Sequence, residues 1–246
     1  DRTFNLHRGG KISIASRIQL KSISDLAMAY TPGVGRISSA IAQNPEEVYN
    51  LTIKQNTVAI VSDGSAVLGL GNLGPEAALP VMEGKAMLFK EFAGIDAFPI
   101  CLATQDTDEI VNVVKNLAPV FGGVNLEDIA APRCFEIEAR LRLELDIPVF
   151  HDDQHGTAIV TLAALFNALK LVQKPIEEIR IVINGAGAAG VAIAKLLRKA
   201  KAKEIWMCDS KGIISTSRNN LNEEKRNFAV KATGKLADAV KDADVF

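Results

Sequence analysis

A glycine-rich turn between an apolar run and a helical pattern limits the fold of this chain more than any other feature. The segment Gly185-Ala186-Gly187-Ala188-Ala189-Gly190 follows residues 180–184 directly and precedes a helical pattern over residues 191–197. Such glycines let a backbone approach the pyrophosphate of a dinucleotide at the N-terminus of the helix. Asp209 closes the next apolar run, 19 residues after Gly190, where an acidic residue can bind the ribose hydroxyls. The pattern predicts dinucleotide binding through Gly185, Gly187, Ala188, Ala189, Gly190 and Asp209; the alternative is a tight turn without a ligand.

The residues around Asp209 bear on which dinucleotide is bound. A carboxylate at this position repels the 2′-phosphate of NADP and so favours NAD. Ser210 and Lys211 come next, and a hydroxyl with an ammonium group could bind that phosphate if the carboxylate turned away. The sequence predicts NAD and keeps NADP as an alternative.

A second string with the same glycine spacing occupies residues 69–74, in a different context. Upstream, Asp63-Gly64 is a hairpin signal, which predicts that residues 66–68 return as a strand beside residues 59–61. Pro75 can begin the following helix, whereas Pro80 is expected to restart it one turn later. We expect a close-approach loop here and no dinucleotide site.

From residue 58 onward, short apolar runs alternate with longer helical patterns, which is typical of βα units around a mainly parallel sheet. We predict strands at 58–62, 97–102, 147–150, 180–184 and 204–208, with a further short strand before Glu127. Helices are predicted at 76–93, 106–118, 131–145, 157–172 and 189–200, and residues 1–4 are predicted to be a strand. The fold class is α/β: an N-terminal α/β domain, a boundary near residue 155, and a Rossmann-type dinucleotide-binding domain.

Composition excludes several classes of partner. The 246 residues are 48% hydrophobic, enough for a substantial core, and the formal net charge of -1 gives no reason to expect nucleic acid or an acidic membrane surface. Three widely spaced cysteines, without a CxxC motif, suggest neither disulfides nor a cysteine zinc site and fit a reducing cytoplasm. The most apolar helical stretch, residues 159–169, contains Asn167 and is followed by Lys170, so no membrane span is predicted, and no signal peptide either.

Two pairs of adjacent carboxylates follow predicted strands. Glu127-Asp128 comes after the short strand, and Asp152-Asp153 comes after residues 147–150. If both strands are parallel members of one sheet, the four carboxylates emerge at the same edge and favour a hard cation such as Mg²⁺ or Mn²⁺. The alternative is that they cap the helices that follow, or lie on a solvated surface. His151 and His155 are further candidate ligands, although a histidine beside a strand end is more often structural.

Two other side chains are candidates for proton transfer. Tyr30 stands at the entrance of the turn Thr31-Pro32-Gly33, and Lys85 interrupts an otherwise apolar helical pattern. A lysine in a low-dielectric site has a lowered pKa and can act as a base near neutral pH. The alternatives are a lysine that reaches solvent and a tyrosine that only packs.

Several long segments, taken in order, resemble the malic enzyme family over residues 12–246. They are YTPGVG at 30–35, SDGSAVLGLGNLG at 62–74, EGKAMLFKEFAGIDAFPICL at 83–102, NLEDIAAPRCFEIE at 125–138 and FHDDQHGTA at 150–158. The resemblance implies oxidative decarboxylation of L-malate to pyruvate with NAD or NADP and Mg²⁺ or Mn²⁺, in a cytoplasmic homodimer or higher homo-oligomer. A malolactic decarboxylase that releases lactate shares these motifs, and a non-catalytic dinucleotide sensor is the alternative from another class.

The resemblance also implies roles for individual residues. Glu127, Asp128 and Asp153 would bind the metal, while Asp152 would hold Lys85 in place. Lys85 would take the proton of the substrate hydroxyl, and Tyr30 would protonate the enolate carbon. Residues 15–155 would form the catalytic domain and 156–246 an incomplete dinucleotide-binding domain, truncated at its C-terminus, with 1–14 as the tail of a regulatory domain.

The chain departs from the family pattern in two places. Ala66 stands where many members carry an arginine that binds the substrate carboxylate, so Arg36 or the backbone amides of residues 69–74 are the expected substitutes. Family members also continue past residue 246 with asparagines that contact malate and nicotinamide, which leaves the activity of this stretch alone open.

Overall fold

A computed structural model describes all residues, 1–246, and the chain forms two compact units. The first unit comprises Asp1–Ile129 and Ile137–Val149, and the second comprises Ala130–Glu136 and Phe150–Phe246. The predicted domain bounds at residues 14 and 155 stay a prediction.

The first unit is built on a parallel sheet. Its strands are β1 Thr57–Ser62, β2 Asp96–Cys101, β3 Gly123–Leu126 and β4 Val149–His151, in the order β2-β1-β3-β4, and the unit ends within β4. Strand β1 pairs in parallel with both β2 and β3. The carboxyl ends of these three strands therefore lie at one edge of the sheet. The helices of this unit are α1 Arg2–His7, α2 Ile23–Ala29, α3 Val34–Gln43, α4 Glu47–Leu51, α5 Pro75–Ala93 and α6 Thr107–Leu117. Helix α7 Arg133–Glu144 has its first residues in the second unit and belongs to the first unit from Ile137 onward.

Helix α5 packs on the inner strand β1 and on its neighbour β2. Met82 and Ala86 form a buried cluster with Ile60 of β1. Pro80 lies inside the helix without ending it, so the expected restart is wrong. Packing of the apolar face onto the sheet compensates for the backbone hydrogen bond that a proline cannot make.

Two other expectations for the first unit are also wrong. Residues 2–7 form α1, not a strand, because the Asp1 carboxylate accepts a hydrogen bond from the Thr3 N–H and caps the helix. Residues 66–68 do not return as a strand beside β1. The Gly64 carbonyl instead accepts hydrogen bonds from the N–H groups of Leu73 and Gly74, so residues 63–74 close into a loop, as expected for the glycines.

The second unit has a three-stranded sheet in the order β5-β6-β7. Its strands are β5 Arg180–Asn184, β6 Glu204–Asp209 and β7 Gly212–Ile213, with β5 and β6 parallel and β7 antiparallel to β6. Helix α8 Asp152–Val172 precedes the sheet, and α9 Ala188–Lys199 connects β5 to β6. Two short helices follow, α10 Glu223–Arg226 and α11 Leu236–Val240. The βαβ unit predicted from the glycines is thus present.

The core of the second unit lies between its helices and its sheet. Leu165 of α8, Leu197 of α9 and Met207 of β6 are buried members of one cluster. Helix α8 is also the one helix long and apolar enough to cross a membrane, with a mean hydropathy of 1.4 over 18 residues. A single helix of this length and composition is weak evidence for a membrane span.

Candidate active site

The glycine-rich turn joins the end of β5 to the start of α9. Gly185 has a φ of 128°, a conformation that side chains rarely permit. A methyl group on Gly190 would overlap the carbonyl oxygen of Gly185, so this glycine allows the helix to pack against the strand. A methyl group on Gly187 would meet nothing within 4 Å. Open space before the first N–H groups of α9, at Ala188 and Ala189, suits a phosphate group.

Asp209 lies at the end of β6 and binds two basic residues that sequence reasoning missed. Its carboxylate receives two hydrogen bonds from the Arg218 guanidinium, at 2.9 and 2.8 Å, and one from Lys225 Nζ at 3.1 Å. The Lys211 N–H donates to it as well, at 3.0 Å. The Arg218 hydrogen bonds are the largest reason that the pKa of Asp209 lies well below its usual range. No spacing rule connects residue 209 with residues 218 and 225, so only the folded chain shows this cluster.

Two adjacent carboxylates follow β3 in the first unit. Glu127 and Asp128 are 6% and 4% exposed, so both side chains are buried. Asp128 has a φ of 53°, in the left-handed region that few residues other than glycine adopt, and strained backbone of this kind clusters at functional sites. Its carbonyl accepts a hydrogen bond from the Ala66 N–H at 3.0 Å, which joins the loop after β3 to the loop after β1. The helix-cap alternative does not apply to Asp128, because α7 begins five residues later, at Arg133.

Lys85 projects from α5 toward the Glu127 carboxylate. Its Nζ lies 3.1 Å from Glu127 Oε1, and the two side chains are 21% and 8% exposed. The other carboxylate oxygen, Oε2, accepts a hydrogen bond from Asn125 Nδ2 at 2.9 Å. Lys85 therefore does not extend freely into solvent. Sequence reasoning missed both the contact between Lys85 and Glu127 and the hydrogen bond from Asn125 to Glu127.

The second acidic pair opens α8 in the second unit. Asp152 and Asp153 lie in the first turn of the helix, where their charge is favourable to the helix dipole. The Asp153 carboxylate is 3.1 Å from Nε2 of His151, whose side chain is fully buried, and Gln154 Nε2 lies 3.2 Å from His151 Nδ1. The Asp152 carboxylate folds back over Gly156, where any larger residue would displace it.

These carboxylates fit a hard cation by the chemistry of their donor atoms. Glu127 and Asp128 place two carboxylates in the interior at the end of β3, where charged groups need partners of opposite sign. Asp153 is a third oxygen donor, partly exposed and held by His151. A set of carboxylate oxygens suits Mg²⁺ or Mn²⁺ and suits softer metals poorly.

Tyr30 occupies the position directly after α2. Its backbone N–H donates to the Leu26 carbonyl, and its own carbonyl accepts a hydrogen bond from the Val34 N–H. The turn between α2 and α3 is tight, because a methyl group on Gly33 would lie 2.6 Å from the carbonyl oxygens of Ala27 and Met28. Tyr30 is 67% exposed, so its role is not that of a packed core residue.

Comparison with known proteins gives consistent matches along the chain. The family model described as "Malic enzyme, N-terminal domain" matches residues 10–107 and 103–142, and "Malic enzyme, NAD binding domain" matches residues 154–244. The chain is 58% identical to the NAD-dependent malic enzyme of Geobacillus stearothermophilus in an alignment of 251 positions that covers 100% of this chain and 52% of that protein. It is 56% identical to the bifunctional malic/malolactic enzyme of Bacillus subtilis in an alignment of 254 positions that covers 100% of this chain and 62% of that protein.

A solved structure gives the same result. The NAD-dependent malic enzyme of Thermotoga maritima superposes with a TM-score of 0.93 at 50% identity, covering 98% of this chain and 66% of that one. The chain therefore spans about half to two thirds of the length of these relatives, and the predicted α/β fold with its dinucleotide-binding domain is confirmed.

Proposed function

The chain belongs to the malic enzyme family, and from this premise we propose that it catalyses the oxidative decarboxylation of L-malate. Malate and oxidised dinucleotide give pyruvate, carbon dioxide and reduced dinucleotide. The observation that carries the proposal is the contact between Lys85 and Glu127 at the carboxyl end of β3, which puts a candidate base beside a candidate metal ligand.

The proposed roles follow the chemistry of each side chain. When bound, the dinucleotide would serve as the hydride acceptor, and the divalent cation would supply Lewis-acid polarisation of a substrate oxygen. Glu127, Asp128 and Asp153 supply the carboxylate oxygens that bind the cation. The neutral amine of Lys85 removes the hydroxyl proton and becomes an ammonium group, which Asp152 holds in place. The exposed phenol of Tyr30 donates a proton to the carbon that has lost carbon dioxide.

The contacts of Asp209 bear on the choice of dinucleotide. Arg218 and Lys225 neutralise its carboxylate, which reduces the repulsion that would exclude the 2′-phosphate of NADP. The Geobacillus stearothermophilus relative is named an NAD-dependent malic enzyme, and the family model that matches residues 154–244 is described as an NAD binding domain. We propose NAD as the cofactor, with measurable activity on NADP. Rates with each dinucleotide, measured side by side, test this choice.

We further propose a cytoplasmic homodimer or higher homo-oligomer. The three cysteines form no disulfide, and two of them are buried, which is consistent with a reducing compartment. Large apolar side chains stay exposed in the segment before α2 and in α2 itself, including Ile14 at 89% and Ile23 at 86%. Exposed apolar surface of this kind is typical of an association site. Light scattering with size-exclusion chromatography measures the oligomer directly.

The activity test uses the natural full-length protein with malate, NAD or NADP, and Mn²⁺. Reduced dinucleotide and pyruvate in equal amounts support the proposal, and neither product would refute it. Lys85→Ala should lower kcat by two or more orders of magnitude, as loss of a general base does. A dinucleotide sensor without catalysis would instead bind NAD and show no change with Lys85→Ala.

One observation favours a second candidate activity. The Bacillus subtilis relative, 56% identical, is named as a bifunctional malic/malolactic enzyme. Lactate produced from malate without net reduction of the dinucleotide would identify the malolactic reaction, and pyruvate alone would exclude it.

A further inference from the structure

Asn125 is a buried polar residue on a strand that is otherwise apolar. It lies in β3, is 1% exposed, and is in register with Ile60 of β1. Its neighbours in the strand, Val124 and Leu126, are buried apolar residues. Asparagine is disfavoured in strands, so an apolar residue at this position would suit the fold better.

Only the nitrogen of the Asn125 side-chain amide has hydrogen-bond partners, and its oxygen has none. Nδ2 donates to Glu127 Oε2 at 2.9 Å and lies 3.3 Å from the Leu126 carbonyl, whereas Oδ1 is buried without a hydrogen-bond partner. The reverse orientation would place Oδ1 against the Glu127 carboxylate, and two acceptors would then face each other. The amide orientation is therefore determined by Glu127. A buried acceptor without a partner destabilises the folded chain, so the residue is poorly explained by stability alone.

The position of Glu127 shows what Asn125 adds. Glu127 follows β3 directly, two positions after Asn125, and its N–H still donates to the Val61 carbonyl of β1 at 2.9 Å. The extended backbone thus brings the two side chains to one side of the chain, where they meet. Lys85 contacts Oε1 of the carboxylate and Asn125 contacts Oε2, so each oxygen has a different partner. The terminal torsion of a glutamate is otherwise broad. Two partners on opposite oxygens hold the carboxylate in one orientation.

We propose that Asn125 is a positioning residue that fixes the Glu127 carboxylate in the orientation needed for a divalent cation and for Lys85. The inference rests on the proposed function, in which Glu127 is a metal ligand. Residues that orient a metal ligand through a hydrogen bond commonly change metal affinity when they are replaced. Asn125 thus favours ion binding at the expense of the stability of β3.

The test measures metal affinity and stability separately, without substrate. Asn125→Leu keeps a similar volume and removes both the unpartnered Oδ1 and the hydrogen bond to Glu127. These two changes have opposite effects on stability, so the unfolding temperature of the metal-free protein should change little. Its dissociation constant for Mn²⁺, measured by electron paramagnetic resonance on the full-length protein, should rise by about 10- to 100-fold. Asn125→Thr, whose hydroxyl is too close to the backbone to reach Glu127, should weaken Mn²⁺ binding in the same way.

Thr57→Val is the matched control. Thr57 is 2% exposed on β1 and donates to the Val120 carbonyl at 3.1 Å, so this variant also removes a buried polar group from the sheet. It should lower the unfolding temperature and leave Mn²⁺ affinity unchanged. In a Glu127→Gln background, Asn125→Leu should cause no further loss of affinity.

Each other outcome overturns a different claim. If wild-type protein binds Mn²⁺ and both Asn125 variants bind it equally well, Asn125 does not position a ligand, and the proposed function stands. If Thr57→Val weakens binding as much as Asn125→Leu, the effect is a general loss of structure and the inference fails. If wild-type protein binds no Mn²⁺, the metal-dependent function fails and the inference fails with it.

Discussion

Asp152 and Asp153 are adjacent in the first turn of α8 but have different surroundings. The Asp153 carboxylate contacts His151, and the Asp152 carboxylate lies over Gly156. Neighbouring carboxylates with distinct contacts need not share one role. This difference supports the proposal that one binds the cation while the other acts on Lys85.

That division gives the first prediction. Asp153→Asn removes a proposed ligand charge and should weaken Mn²⁺ binding by at least about 10-fold, whereas Asp152→Asn should lower kcat with a much smaller effect on Mn²⁺ affinity. Mn²⁺ titration and steady-state kinetics on the same preparations separate the two effects. Equal loss of metal binding in both variants would refute the division.

Asp209 provides a second prediction, on pH. Its pKa is lowered in the folded protein, chiefly by hydrogen bonds from Arg218. A carboxylate with a lowered folded pKa contributes stability above its unfolded pKa of about 3.9, and this contribution disappears as the pH falls through the folded pKa. The difference in unfolding free energy between wild type and Asp209→Asn should therefore be constant above about pH 5 and shrink below about pH 4.

Urea unfolding at a series of pH values measures this difference. In an Arg218→Ala background the same Asp209→Asn substitution should show a smaller dependence on pH, because the main partner of the carboxylate is gone. An unchanged dependence in that background would contradict the assignment of the shift to Arg218.

At the scale of elements, the sequence predicts the βαβ unit well because its signals are local. Strand β5 begins and ends where the apolar run before Gly185 does, at Arg180 and Asn184. The hairpin predicted after Asp63-Gly64 rests on equally local residues and is wrong, because the N–H groups of Leu73 and Gly74 both donate to the Gly64 carbonyl and close a loop. Turn propensity cannot show which distant groups will reach a backbone acceptor.

Site contacts were harder to predict than elements, for a related reason. The candidate residues after β3 were found because acidic pairs following strands are a local pattern. Lys85 meets Glu127 only because α5 packs on β1 and β1 pairs with β3. A contact between residues 42 positions apart in sequence depends on two packing relations that spacing does not encode.

The glycine-rich turn between β5 and α9 gives the third prediction. Gly190→Ala should destabilise the protein by about 1–3 kcal/mol, because the added methyl group overlaps the Gly185 carbonyl oxygen and the helix must move. Gly187→Ala places its methyl group in open space and should change stability by no more than about 0.5 kcal/mol. Denaturant unfolding compares the two variants.

Gly187→Ala should nevertheless weaken dinucleotide binding, because its methyl group occupies the space predicted for the pyrophosphate. Calorimetric titration with NAD checks this. Unchanged NAD affinity in Gly187→Ala would place the dinucleotide elsewhere, and equal stability in both variants would show that the tight packing at Gly190 is dispensable.

At the scale of the whole molecule, the proposed ligands of one cation belong to two compact units. Glu127 and Asp128 are in the first unit, and Asp153 is in the second. The proposed dinucleotide contacts, by contrast, all lie in the second unit, between Gly185 and Asp209. The cation and the dinucleotide should therefore protect different parts of the chain from hydrogen exchange.

Hydrogen exchange measured by mass spectrometry tests this difference. NAD should slow exchange in β5, α9 and β6 more than in β1 and β3, because only the second unit carries its contacts. Mn²⁺ should slow exchange at residues 123–128 and at residues 151–153 with one common dissociation constant, because a single ion that needs ligands from both units stabilises both when it binds. At 100 times that constant the stabilisation should approach about 2.7 kcal/mol.

The Asp153→Asn variant serves as control, and in it protection should fall in both segments. Protection of only one segment, or two different dissociation constants, would mean that the carboxylates do not share an ion.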